Sequence, residues 1–175
     1  MSVIFRITSS LIRKVRLDLL RSHRFAAERV GFVAVRAATT ENALILFAEG
    51  YYPVADDDYI DDQTVGAMMG QDAIRKALDV ALLNPVGMFH VHMHEHLGRP
   101  TFSGTDQREQ NIFVPDFFKV RRTLPHGAVV LSHDRAAGLA WMNPDHKVAL
   151  SEFNVIGPRV FIDIVERTHD SKREL

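Results

Sequence analysis

The chain has 175 residues, 46% of them hydrophobic, a formal net charge of −1 and no cysteine. Such a length and composition suit one domain with a proper core and exclude a disordered chain, while near-neutrality gives no electrostatic case for nucleic acid. Without cysteine there are no disulfides, thiolate nucleophiles, iron–sulfur clusters or sulfur-ligated zinc, so any metal must be held by nitrogen and oxygen.

Val3 to Ile7 reads as a short strand. Ser9 or Ser10 can cap a helix to about Arg21, with Leu11, Ile12, Val15 and Leu19 as its apolar stripe and Arg13, Lys14 and Arg16 on the wet face. Val30 to Val35 and Ala43 to Ala48, the latter extending toward Tyr52 before Pro53, form two strands joined as a hairpin by Thr39 to Asn42. Asp56 to Asp62 marks a loop. Asp72 can cap a helix through Leu83, with Ile74, Ala77, Leu78, Ala81 and Leu82 facing inward and Asn84-Pro85 as its stop. Val86 to His92 is a strand, and Ser103 caps a helix from Thr105 to about Phe113, which Pro115 breaks or kinks. Ala128 to Ser132 and Gly138 to Met142 make a second hairpin across His133 to Arg135, and Val160 to Val165 is a last strand or helix. The absence of repeats and linkers predicts a single domain over residues 1–166 followed by a polar tail, 167–175. Helices separated by strands and hairpins predict an α/β (α+β) sandwich with a mixed central sheet flanked by helices.

The most informative stretch is His90-Val-His92-Met-His94-Glu-His96, followed by Ser103-Gly-Thr-Asp106. A strand sends alternate side chains to one face, so His90 and His92 project together, as two neutral imidazoles converging on one metal ion must. Asp106, on the following helix, adds a hard oxygen. Two nitrogens and a carboxylate leave a fourth tetrahedral position for water, the arrangement of a catalytic zinc. Such a centre needs a general base that is not itself a ligand. Glu28, at the entrance of the Val30 strand, is the best candidate; Glu41 and Glu49 are rivals.

These segments resemble the JAMM (JAB1/MPN/Mov34) metalloprotease motif. Glu28 precedes the Gly31-Phe32 strand, His90-Val-His92 ends a later strand, and Ser103-x-x-Asp106 opens a helix. The resemblance covers roughly Ala26 to Ile112. It implies a JAB/MPN-like, cytidine-deaminase-like topology, with His90, His92 and Asp106 binding Zn2+, Glu28 as general base and Ser103 stabilising the oxyanion. It further implies hydrolysis of peptide or isopeptide bonds after the C-terminus of a ubiquitin-like protein, in precursors or conjugates. Met93 stands where the motif has proline, and thirteen residues separate His92 from Asp106, a longer loop than is usual in the family. Loops absorb insertions cheaply. His92 and His94 form a second His-x-His pair; His90 and His92 are preferred because Val86 to Phe89 leads straight into them. The histidine-rich loop is similar to that of prokaryotic branches encoded beside ubiquitin-like activating and conjugating enzymes.

His94 and His96 either contact substrate or support a ligand, or they belong to a polar surface loop. The Asp56 to Asp62 cluster either meets a basic patch on a partner or is simply solvated. His23, His126, His133, His146 and His169 read as structural or exposed, and Trp141 and Phe117-Phe118 as core. A cupin-like barrel would need a glutamate and a late histidine at other spacings, and an amidohydrolase barrel a much longer chain. Within the resemblance, a sulfur-carrier protein or a phage-tail peptide is the alternative substrate, and a non-proteolytic metal-binding module the alternative role. No stretch approaches the ~20 apolar residues of a membrane span, Met1 to Arg6 has too short an apolar run for a signal peptide, and a cysteine-free chain fits a reducing cytoplasm.

Overall fold

A computed structural model describes residues 1–23, 27–62 and 66–157. Eight strands form one mixed sheet: β1 (Ser2–Thr8), β2 (Val30–Thr39), β3 (Ala43–Pro53), β4 (Gly87–Met93), β5 (His126–Leu131), β6 (Ala136–Asn143), β7 (His146–Ala149) and β8 (Glu152–Ile156). Their order across the sheet is β7-β6-β5-β4-β2-β3-β1-β8. β1 runs parallel to β3 and β8, and β4 parallel to β5; the other neighbours are antiparallel. The helices are α1 (Ser9–Leu19), α2 (Gln71–Leu83) and α3 (Gly104–Val120). The chain is therefore a mixed α+β protein, as the alternation of helical and strand patterns predicts.

The period of two along each strand divides the core into two layers. On one side Val33 and Val35 of β2 and Phe89, Val91 and Met93 of β4 pack with Ile12, Val15 and Leu19 of α1. On the other, Phe32, Ala34 and Met88 pack with Ala73, Ala77 and Ala81 of α2 and Phe113, Val114, Phe117 and Phe118 of α3. His90 and His92 share the parity of Met88, so they face α3 rather than α1. Central β4 is buried along its whole length between β2 and β5.

Several local details differ from the sequence reading. Thr8, not Ser9 or Ser10, caps α1, its hydroxyl accepting from the Leu11 N–H at 3.2 Å, and the helix ends at Leu19. Gly70 occupies the N-cap of α2 and Asp72 sits in the first turn, where its charge still suits the helix dipole. Leu82 is exposed because Ala73, Ala77 and Ala81 define the buried stripe. Pro115 does not end α3: the helix continues to Val120, its second half held by the buried Val114, Phe117 and Phe118. Tertiary packing here outweighs the proline's missing N–H. Edge strands β7 and β8 are short and largely exposed, so they carry little apolar alternation to read. The expected element at residues 160–165 and the polar tail at 167–175 lie outside the described residues.

Candidate metal centre

Residues from four places in the chain meet at one face of the sheet. Glu28, His90, His92, His94, Ser103 and Asp106 all line a single cavity of about 310 Å³, together with Val30, Met69, Ile74, Gln110 and Phe113.

Strand β4 supplies His90 and His92, 6% and 1% exposed, with ring centroids 5.6 Å apart. Phe32 and Phe113 pack edge-on against His90 at 5.7 and 5.4 Å. Burial, with the neighbouring His92 charge adding to it, pushes the His90 imidazole down to about 3. Burial likewise lowers His92 to about 4, against the pull of Asp106. Both rings are thus neutral at physiological pH, the form a metal requires.

Asp106 is placed by the start of α3. A capping box fixes it: the Ser103 hydroxyl accepts from the Asp106 N–H at 3.1 Å, and Asp106 Oδ2 accepts from the Ser103 N–H at 2.7 Å. Burial alone would raise the Asp106 carboxyl, but His92 and the two hydrogen bonds with Ser103 hold it below its ordinary value. Its Oδ2 lies 3.6 Å from His92 Nε2. That is too long for a hydrogen bond, yet two ligands each ~2.0–2.1 Å from a tetrahedral ion stand roughly 3.4 Å apart.

Glu28 is set by its neighbours in the chain. Its N–H donates to Gly66 O at 2.8 Å. Arg29, 3% exposed, donates to Arg21 O, Ser22 O and Asp56 Oδ1 at 2.9, 3.0 and 2.7 Å. The Tyr59 hydroxyl accepts from the Val30 N–H at 2.8 Å. The start of β2 is therefore pinned from both sides. Burial raises the Glu28 carboxyl above its ordinary value, with His94 opposing and Asp106 adding to the shift. The rivals lie elsewhere: Glu49 pairs with Arg36 on the surface, and Glu41 sits in the exposed β2–β3 turn.

The loop after β4 brings His94 into the centre. The His94 N–H continues the ladder to Leu131 O at 2.9 Å. A clasp from the β5–β6 turn then fixes the loop: the Gly98 N–H donates to Asp134 Oδ1 and the Ser132 hydroxyl to Gly98 O, both at 2.7 Å. His94 Nε2 lies 3.9 Å from Glu28 Oε1, and its ring centroid is 5.1 Å from that of His92. Ligand atoms of Glu28, His92 and His94 all lie within 4.8 Å of one another, and among the described residues this is the one such group. These three residues could hold a metal ion. His96 continues the file, 5.7 Å from His94, but is exposed and engages Leu97 O; it does not line the cavity.

The donor set fits a divalent ion. His90 Nδ1 and both ring nitrogens of His92 are buried with no hydrogen-bond partner, a state native structures seldom leave unexplained. Four further residues refine the sequence reading. Asp56 and Asp58 of the acidic cluster are engaged within the chain, Asp56 with Arg29 and the buried Asp58 with Lys76 at 2.7 Å. His126 is structural: its Nδ1 accepts from the Met88 N–H at 3.1 Å and its Nε2 faces Arg121 O at 3.0 Å. Gln110, which lines the cavity and is 1% exposed, escaped the sequence reading. Its signal was a polar residue one turn after Asp106 on the stripe that continues to Phe113.

No protein-family model matches the chain, and no curated protein matches it.

Proposed function

We propose that this protein is a zinc-dependent (iso)peptidase that cleaves after the C-terminus of a ubiquitin-like protein, in precursors, conjugates or both. The observation that carries this reading is convergence: Glu28, His90, His92, Ser103 and Asp106, singled out on separate segments, line one cavity. His90, His92 and Asp106 would hold the zinc ion. When bound there, the ion supplies Lewis-acid activation of water and of the scissile carbonyl.

The chain's own residues do the rest. Glu28, half-buried and raised above the ordinary carboxylate range, accepts a proton from the attacking water as the oxygen bonds to the carbonyl carbon. In its cap the Ser103 hydroxyl is an acceptor, so its own hydrogen is free to donate to the developing oxyanion. Collapse of the tetrahedral carbon breaks the C–N bond, and Glu28 returns its proton to the leaving amine, a lysine side chain or a new N-terminus. No covalent acyl-enzyme is needed, in keeping with a cysteine-free chain. The partner proteins in this reading are the ubiquitin-like substrate and the activating and conjugating enzymes that act on it, and the compartment is the cytoplasm. A sulfur-carrier protein of the same fold is the alternative substrate.

One observation favours a second reading. Glu28 stands within ligand distance of His92 and His94, and a carboxylate that ligates the ion would leave a metal-binding module without a base. Glu28→Gln separates the two. In a peptidase the variant keeps its zinc and loses hydrolysis of a ubiquitin-like fusion; in the binding module it loses zinc. The assay is cleavage of such fusions with and without chelator, beside metal content by atomic emission. A Glu28→Gln variant that remains active sinks the base assignment.

A further inference from the structure

We infer that Gln110 is a positioning residue of the metal centre, its side-chain oxygen being the acceptor that the His90 Nδ1–H takes when an ion binds at Nε2, a hydrogen bond that the metal-free structure does not make. This rests on the reading above in taking His90 for a ligand. Gln110 is 1% exposed, and neither its Nε2 nor its Oε1 has a hydrogen-bond partner. A sealed, unpaired amide destabilises a fold, and an apolar side chain of similar size would do better. The surrounding α3 positions Phe113, Val114 and Phe117 are apolar, so nothing in the core requires an amide.

The placement of α3 says what the amide faces. Asp106, Gln110 and Phe113 stand at i, i+4 and i+7, one stripe of the helix. Both ends of that stripe are located. Asp106 lies 3.6 Å from His92, and the Phe113 ring is 5.4 Å from the His90 ring. Gln110, between them, therefore faces the histidine strand. His90 presents the complementary need. Of its two ring nitrogens only Nδ1 is sealed without a partner, while Nε2 opens on the cavity. An ion taken at Nε2 leaves Nδ1–H as an inward donor, and metal-ligating histidines give that hydrogen to a fixed acceptor. Of the carboxylates on the cavity wall, Asp106 is held by the Ser103 N–H, Glu28 faces His94, and Glu109 is exposed. The Gln110 oxygen remains.

The test sets two readouts against each other. Zinc affinity, by competition with a chromophoric chelator, and thermal unfolding of the metal-free protein are measured for the parent, Gln110→Leu, Gln110→Met and Gln110→Glu. The apolar variants are expected to raise the metal-free melting temperature, because a sealed amide is gone, while weakening zinc binding by roughly 10–100-fold. Gln110→Glu restores an acceptor and is expected to bind zinc within about three-fold of the parent or more tightly. A merely structural glutamine would move stability and affinity in the same direction, or affinity not at all. Apolar variants that bind zinc as tightly as the parent overturn the role of Gln110 alone. A parent that takes up no zinc overturns the metal centre and this role together.

Discussion

Removing the Ser103 hydroxyl separates the stability of α3 from the chemistry proposed at its N-terminus. The capping box has two arms. The arm from the Ser103 N–H to Asp106 Oδ2, at 2.7 Å, uses the backbone and survives Ser103→Ala. The arm from the Asp106 N–H to the Ser103 hydroxyl, at 3.1 Å, is lost. Loss of an N-cap side chain costs about 1 kcal/mol, which in a chain of this size lowers Tm by roughly 2–4 °C. The oxyanion role predicts a larger effect: deleting one such donor lowers kcat by about 10²–10³, or roughly 3–4 kcal/mol of transition-state stabilisation. The expected outcome is a modest shift in the urea midpoint, unchanged zinc content, and a kcat loss far beyond what the destabilisation explains, with KM little altered. Ser103→Thr, which keeps a hydroxyl and a good cap, should recover most of the rate. A kcat that drops only a few-fold with zinc retained would refute the oxyanion assignment. Loss of zinc in step with activity would instead make Ser103 a support for Asp106.

Replacing His92 or Asp106 with alanine should weaken zinc binding by more than the ~10–100-fold that outer partners give, read by chelator competition; equal zinc in variant and parent refutes the ligand assignment. Gly87→Ala should destabilise by more than the roughly 1–3 kcal/mol of ordinary overpacking, because the new Cβ would stand 2.0 Å from Pro125 O and 3.2 Å from a Val35 methyl. Gly50→Ala, whose nearest contact is the Tyr52 ring at 3.4 Å, is the control, and urea midpoints compare them. Burial lowers His126 to about 4, against a hydrogen bond to Arg121 O that favours its charged form. The unfolded chain therefore binds a proton that the folded one refuses. That share of stability is complete above the unfolded pKa near 6.5 and is lost as pH falls toward 4, by about 3 kcal/mol. His126→Gln, able to accept from Met88 and donate to Arg121 without titrating, should flatten the acid limb of stability against pH by that amount; an unchanged limb refutes it.

The centre was legible in the sequence where local rules fix geometry. Alternation along β4 puts His90 and His92 on one face, and Ser103-x-x-Asp106 writes the capping box that aims Asp106. Both signals span a few residues and need no knowledge of the fold. What stayed hidden depends on distant contacts. His94 follows the end of β4, and its approach to Glu28 is set by pairing with Leu131 and by the clasp of Ser132 and Asp134 on Gly98. No periodicity records that. Pro115 misled for the same reason: its local cost is plain in the sequence, whereas the phenylalanines that override it show their worth only once packed. The acidic run at residues 56–62 looked like surface until Arg29 and Lys76 met it.

Whether Glu28 works as base or as ligand turns on how each carboxylate is held. A ligand must keep its oxygen aimed at the ion, and Asp106 is built that way, with Oδ2 fastened by the Ser103 N–H in a cap at a helix start. Glu28 is held differently. Its backbone is pinned through Gly66 and the buried Arg29, but among the described residues no hydrogen bond fastens its carboxylate, and His94 Nε2 stands 3.9 Å from its Oε1. Space beside it is preserved by Gly66, where a Cβ would stand 3.1 Å from the Glu28 carboxyl carbon. An anchored main chain, an untethered carboxylate and room to turn are what a proton carrier needs, because it must reach the attacking water and then the departing amine. A raised pKa serves the same end, since a carboxyl that holds its proton more firmly is a better base toward water. On the proposed mechanism His94, with Nε2 3.9 Å from Glu28 Oε1, is placed to steer the Glu28 carboxylate between those two positions.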